Sequence, residues 1–317
     1  MSAAPARRAW LGWALASMGC FGATNFLLGY IAEKSAADPG ASVKAAMVLW
    51  LGCGLLGVAG AFLFKATGRG FSGMPGRRSY GAPIAAGVAL ALGMLLLKSS
   101  LAANPLAKGP MVAVTSSNSL VVALLAWALI RERLSRGQWA GLAVIVAGIV
   151  LVSLGSGGRA QLGAVGLAVA AMLLFGITNF LLKLAGRQGC DSISAAIVLW
   201  LAVGACGALA VGGRWLGQAR FPALATPWLT LLAFLAGGTL ALGMLGIKKA
   251  VTLGQAGPAS AVSGANAILV SLLDLAVLGH WLPWLKLAGM LTAVTGIAVL
   301  ALARPMAETS ARDGRGR

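Results

Sequence analysis

Side chains able to do chemistry are scarce in this chain, and the most regularly placed of them are amides. The 317 residues include 25 Lys and Arg, seven Asp and Glu, four Cys and a single His. Asn25 and Asn179 sit in near-copies of one stretch, FGATNFLLG (21–29) and FGITNFLLK (175–183), identical at seven of nine positions. Asn118 and Asn266 form a second matched pair, in GPMVAVTSSNSLV (109–121) and GPASAVSGANAIL (257–269). An amide offers donors and an acceptor without charge, so the set suits either binding a polar ligand or joining helices by hydrogen bonds. Ser117 beside Asn118, and Ser263 three residues before Asn266, extend the two sites. On a helix Ser263, Asn266 and Asp274 point within roughly 80° of one another and share a face.

Asp274 is the one acidic residue well inside an apolar run, and its counterpart in the first half is Ala126. Intramembrane carboxylates mark proton relays, so Asp274 is a candidate ion-coupling residue. The alternative places it near the outer interface, paired with His280 or Lys286. Lys98 and Lys248 end matched apolar runs, LALGMLLLK (90–98) and LALGMLGIK (240–248). Such lysines either snorkel to the interface or guard the two mouths of a cavity. Lys183 reads as a cytoplasmic anchor, and Trp50 and Trp200, in repeated VLW tripeptides, read as packing residues. No HExxH, nucleophile elbow or P-loop is present. Cys20, Cys53, Cys190 and Cys206 have neither disulfide nor metal-ligand spacing. The expectation is a protein that is no enzyme, holds no cofactor or metal, and does not drive transport with ATP.

The elements that must position these residues are apolar helices. The chain is 59% hydrophobic and 10% charged, with a mean hydropathy of +0.89. Continuous apolar runs of about 20 residues match helices crossing a roughly 30 Å hydrocarbon core. Ten are expected, at about 9–30, 45–64, 81–101, 109–130, 138–156, 163–184, 193–212, 229–248, 257–279 and 283–303. Pro110 and Pro258 fall where the fourth and ninth begin, a position that tolerates a missing N–H. The N-terminal run is too long for a signal h-region and has a repeat partner inside the chain, so it counts as the first helix. Basic residues such as Arg7, Arg8, Arg77, Arg78, Arg187 and Arg304 fall in segments that alternate to one side, which places both termini in the cytoplasm. The net charge of +18 is thus mainly topology. It forms no aromatic-interleaved basic patch, and no nucleic-acid partner is expected.

The repeated stretches keep nearly constant offsets of 154, 150 and 148 residues, so the chain divides into two similar halves of five helices, 9–156 and 163–303. Residues 1–8 precede them, and 304–317 form a basic tail expected to be disordered. With an odd helix number per repeat, the second half enters the membrane from the opposite side. Inverted repeats of this kind are an architecture of secondary transporters.

Gly176 followed by Lys183 at the end of helix six, and the stretch IRERLSRGQWAGLAVIVAGIVLV (130–152), resemble the EamA-type drug/metabolite transporter superfamily. Arg131, Glu132, Arg133 and Leu134 match that family's turn before a glycine-rich fifth helix. The second copy reads GHWLP (279–283), with His280 where the acid would be. The resemblance implies ten helices in two inverted repeats, with helices one, three, four, six, eight and nine lining a central cavity. All four asparagines then lie on cavity-lining helices. The expected activity is secondary transport of a small metabolite or amino acid, most readily export, across the inner membrane by alternating access, with coupling to protons an option at Asp274. Sugar or polyol uptake, a lipid-linked flippase, and a non-transporting receptor or scaffold are the alternatives.

Overall fold

A computed structural model describes residues 6–38, 40–68, 74–104, 108–130, 135–154, 159–218, 223–253 and 262–303. Among these residues the protein is helical throughout. The helices are α1 (Ala6–Lys34), α2 (Ala41–Ala66), α3 (Gly81–Ala103), α4 (Lys108–Ser116), α5 (Ser119–Ile130), α6 (Arg136–Leu154), α7 (Arg159–Arg187), α8 (Ser192–Gln218), α9 (Pro227–Leu253), α10 (Asn266–Leu278) and α11 (Trp284–Leu302). A 3₁₀ turn at Arg77–Tyr80 leads into α3. Seven segments, counting α4 and α5 together, are long and apolar enough to cross a membrane by length and composition. Three shorter apolar helices bring the segments to ten. Most helices extend a few residues past the ranges expected from hydropathy. The motif residues Arg131–Leu134, Pro258 and the tail from 304 lie outside the described residues.

The segments expected as single helices four and nine are both interrupted. The fourth breaks at Ser117 and Asn118, between α4 and α5, and the ninth turns at Ala265 just ahead of α10. At both places the backbone ladder tightens from i+4 to i+3: Leu120 N–H donates to the Ser117 carbonyl (2.9 Å) and Ile268 N–H to the Ala265 carbonyl (3.0 Å). The local sequence supplies the cause. Short polar side chains compete for helix carbonyls: Thr115 takes that of Val112, Ser117 that of Ala113, Asn118 that of Thr115 and Asn266 that of Ser263.

Glycines set how closely the other helices approach. Gly54 of α2 and Gly204 of α8 face each other backbone to backbone, and a Cβ on either would fall on the other's Cα. One turn away, Gly57 receives Trp200 and Gly207 receives Trp50. Both indoles are buried there with no hydrogen-bond partner among the described residues, as packing residues. Elsewhere α1 packs on α9, α3 on α7 and α6 on α11. Large apolar side chains also point outward, including Phe62 (70% exposed) and Leu209 (77%). A soluble protein of this size would seldom present so broad an apolar surface.

Candidate functional site

A cavity of about 90 Å³ lies where the two interrupted helices meet α1, α3, α7 and α9. Six of its apolar wall residues come in sequence-matched pairs, Phe21 with Phe175, Leu90 with Leu240, and Met94 with Met244, and Ile247 adds to them. Among the described residues its polar lining is Asn25, Thr115, Ser116, Asn118, Ser119, Thr178, Asn179, Ser263 and Asn266, none of them ionisable. A space of this size, well above the roughly 10–15 Å³ that a single water needs on the same measure, has room for several waters or a small polar ligand.

The asparagines are bonded to one another across the cavity. Asn25 Nδ2 donates to Asn266 Oδ1 (3.0 Å), and Asn179 Nδ2 donates to Asn118 Oδ1 (3.0 Å). The second bond repeats the first with each residue exchanged for its counterpart in the other half. Asn266 also donates to Ser116 Oγ (3.2 Å). Among the described residues, Ser119 Oγ is buried without a partner and faces the cavity. Thr24 and Thr178, the residues preceding Asn25 and Asn179, are buried and mirror each other in the same way. Thr24 donates to the Cys20 carbonyl and lies 3.4 Å from that of Ala236, while Thr178 donates to Leu174 and lies 3.2 Å from Ala86.

Ser117 does not line the cavity: its side chain is buried and its hydroxyl returns to the Ala113 carbonyl (2.9 Å). Ser116 and Ser119, on either side of the break, take that place. Ser263 does line it, with its hydroxyl 2.8 Å from that of Ser17.

Lys98 does not snorkel and does not stand in a mouth. It is fully buried, and its ammonium donates to the Leu28 carbonyl (2.6 Å), one turn beyond Asn25. Lys248 donates to the matched carbonyl of Leu182 (3.2 Å), one turn beyond Asn179. A lysine on α3 or α9 thus ends on the backbone of another helix, tying α3 to α1 and α9 to α7.

Asp274 also lies off the cavity. It is 2% exposed and accepts from Lys108 (2.6 Å), not from Lys286. Lys108, at the start of α4, is fully buried and donates as well to Glu33 Oε2 at the end of α1 (2.7 Å). Its stem crosses α1 over Gly29, where a Cβ would collide with the lysine methylenes. That contact gives Gly29 a structural reason for differing from Lys183. Sequence reasoning missed Glu33 and Lys108, which fell just outside the expected spans. The available signal was a break in the repeat: Glu33 corresponds to Arg187 and Lys108 to Ala256.

No family model matches the chain, and no curated protein sequence matches it. A solved structure described only as "Crystal structure of protein" superposes with a TM-score of 0.62 at 18% identity, covering 92% of this chain and 97% of the other. That likeness is one of fold: the chain is an all-helical protein with the composition of a multi-pass membrane protein.

Proposed function

We propose that the protein is a secondary transporter of the drug/metabolite type, built from two inverted five-helix repeats, that moves a small uncharged or zwitterionic metabolite by alternating access. The observation that carries this reading is the mirrored pair of asparagine bonds at two interrupted helices around an uncharged cavity. Inverted-repeat transporters bind substrate near the midplane, at discontinuous helices on the repeat interface. The matched lysine and threonine bonds support the same repeat relation. Amide bonds between facing helices also suit a gate, since a ligand with its own donors and acceptors can replace them at little net cost. In this reading the cell membrane holds the protein with both termini cytoplasmic, and export of a metabolite or amino acid is the direction favoured.

The test uses the full chain in proteoliposomes and a broad panel of labelled solutes. Uptake or counterflow of at least one solute, together with substrate protection of a cysteine placed at 118 or 266 from maleimide, is the expected result. Movement of no solute, with labelling at both positions indifferent to every compound, would remove the transport reading.

A further inference from the structure

A second polar cluster lies outside the cavity, where α1 and α10 end and α4 begins. Lys108 bonds one oxygen of each carboxylate, Glu33 Oε2 and Asp274 Oδ1. The remaining oxygens face the only histidine of the chain: Asp274 Oδ2 lies 3.5 Å from His280 Nδ1, and Glu33 Oε1 lies 3.9 Å from Nε2. His280 belongs to the connection between α10 and α11, and its Nδ1 is buried with no hydrogen-bond partner among the described residues. The side chain as a whole is 21% exposed, enough to exchange a proton with the medium. The neighbouring helices α3 and α11 each carry one ionisable side chain, Lys98 and Lys286. Lys98 donates to the Leu28 carbonyl, so its nitrogen is turned away from both carboxylates.

Charge counting selects what completes the cluster. Two carboxylates and one ammonium leave a single negative charge in a largely desolvated setting, where an uncompensated charge is costly. A divalent metal on Glu33, Asp274 and His280 would overshoot to a net positive charge beside Lys108. One proton on the imidazole brings the sum to zero and places an N–H toward each spare carboxylate oxygen. Histidine is also the side chain whose ordinary titration falls between pH 5 and 8.

We propose that His280 is a proton-binding site that latches this end of the bundle: with a proton taken from the medium, its imidazolium bridges Asp274 and Glu33 and ties the α10–α11 connection to α1. The proposal depends on the transport reading only in that the latched end becomes one gate of the cavity. The sign follows from the bridge itself, which needs an N–H on both ring nitrogens and so exists only with the imidazole protonated. Latching is present at low pH and is lost as the pH rises through the imidazole range.

Two measurements on the full-length protein in nanodiscs test it. Because the chain has one histidine, ring-¹⁵N histidine labelling reports His280 alone. If the imidazolium bridges the two carboxylates, its proton is held less tightly in Glu33→Gln and in Asp274→Asn than in wild type. Equal affinity in wild type and both variants overturns the proposal. Hydrogen exchange over 274–286 then compares wild type with His280→Gln at the same pH. Exchange about tenfold slower in wild type at pH 5.5, with no difference at pH 8.5, supports the latch. Equal exchange at both values, or stronger protection by added Zn²⁺ at pH 8.5 than by the proton at pH 5.5, overturns it. A pH-dependent latch in a protein that moves no solute refutes transport and leaves the proton site standing.

Discussion

Replacing Lys108 by methionine separates a charge effect from a packing effect. The thioether keeps most of the lysine stem, so the space over Gly29 stays filled and a volume-conserving change of this kind costs under about 1.5 kcal/mol. The loss is then mainly electrostatic. Asp274, its side chain 4% exposed, becomes a buried carboxylate without its ammonium, and breaking such a pair costs about 3–5 kcal/mol. Asp274→Asn costs less, because Lys108 keeps Glu33. Glu33→Gln costs least, about 1 kcal/mol or below, since the Glu33 side chain is 23% exposed and water can take over for the lysine. The double variant Lys108→Met with Asp274→Asn removes both charges and regains about 2 kcal/mol or more over Lys108→Met alone. Unfolding in mild detergent at pH 7.5, followed by circular dichroism, gives the four stabilities. A double variant whose loss equals the sum of the singles, or Glu33→Gln as damaging as Lys108→Met, would refute this account.

At the α2–α8 crossing, Gly54→Ala and Gly204→Ala each force the backbones apart and lose about 1–3 kcal/mol. The pair is non-additive, because the first methyl already makes room for the second; melting temperatures of the singles and the double check this. On the transport reading, Asn118→Ala and Asn266→Ala leave the melting temperature within a few degrees but abolish the thermal shift produced by any solute that the wild-type protein moves. In the α1–α2 connection the hydrogen bond from Lys44 holds the Asp38 carboxyl below its ordinary range. A depressed folded-state pKa contributes stability above the ordinary carboxylate range that is lost as pH falls through the folded value. Acid unfolding below about pH 4 therefore begins at slightly higher pH in wild type than in Asp38→Asn when each is referenced to its own neutral stability, because only wild type loses this contribution; no difference in onset would count against the Lys44 bond.

Much of the helical framework is legible because membrane-length apolar runs leave little ambiguity, and Pro110 marks the start of α4 well. The interruptions are harder to read. TSSNS and SGAN (residues 115–119 and 263–266) are short polar runs inside apolar ones, and hydropathy treats them as blemishes in a continuous helix. Only the carbonyl competition described above turns them into breaks. The repeated Thr-Asn dipeptides pointed to the cavity, but periodicity does not say that Asn25 would meet Asn266 in place of its own counterpart. The placing of Lys98 and the absence of Lys108 from the candidate residues have a plainer reason. A lysine at the end of a run has a stem of four carbons, and its reach decides whether it ends in water or on a neighbouring carbonyl. Lys98 and Lys108 chose protein acceptors that the sequence places 70 and 166 positions away.

The Glu33–Lys108–Asp274 bridge has no image in the other half, where Arg187, Ala256 and Ala126 stand at the matching positions. Two repeats that exchanged shapes with identical contacts would leave the molecule equally at ease in either orientation. An ion cluster confined to one end removes that degeneracy, and each 1.4 kcal/mol by which it favours one orientation tilts the populations tenfold. On the transport reading the bridge therefore sets the resting direction of the empty carrier, and with it the side from which the first ligand must arrive.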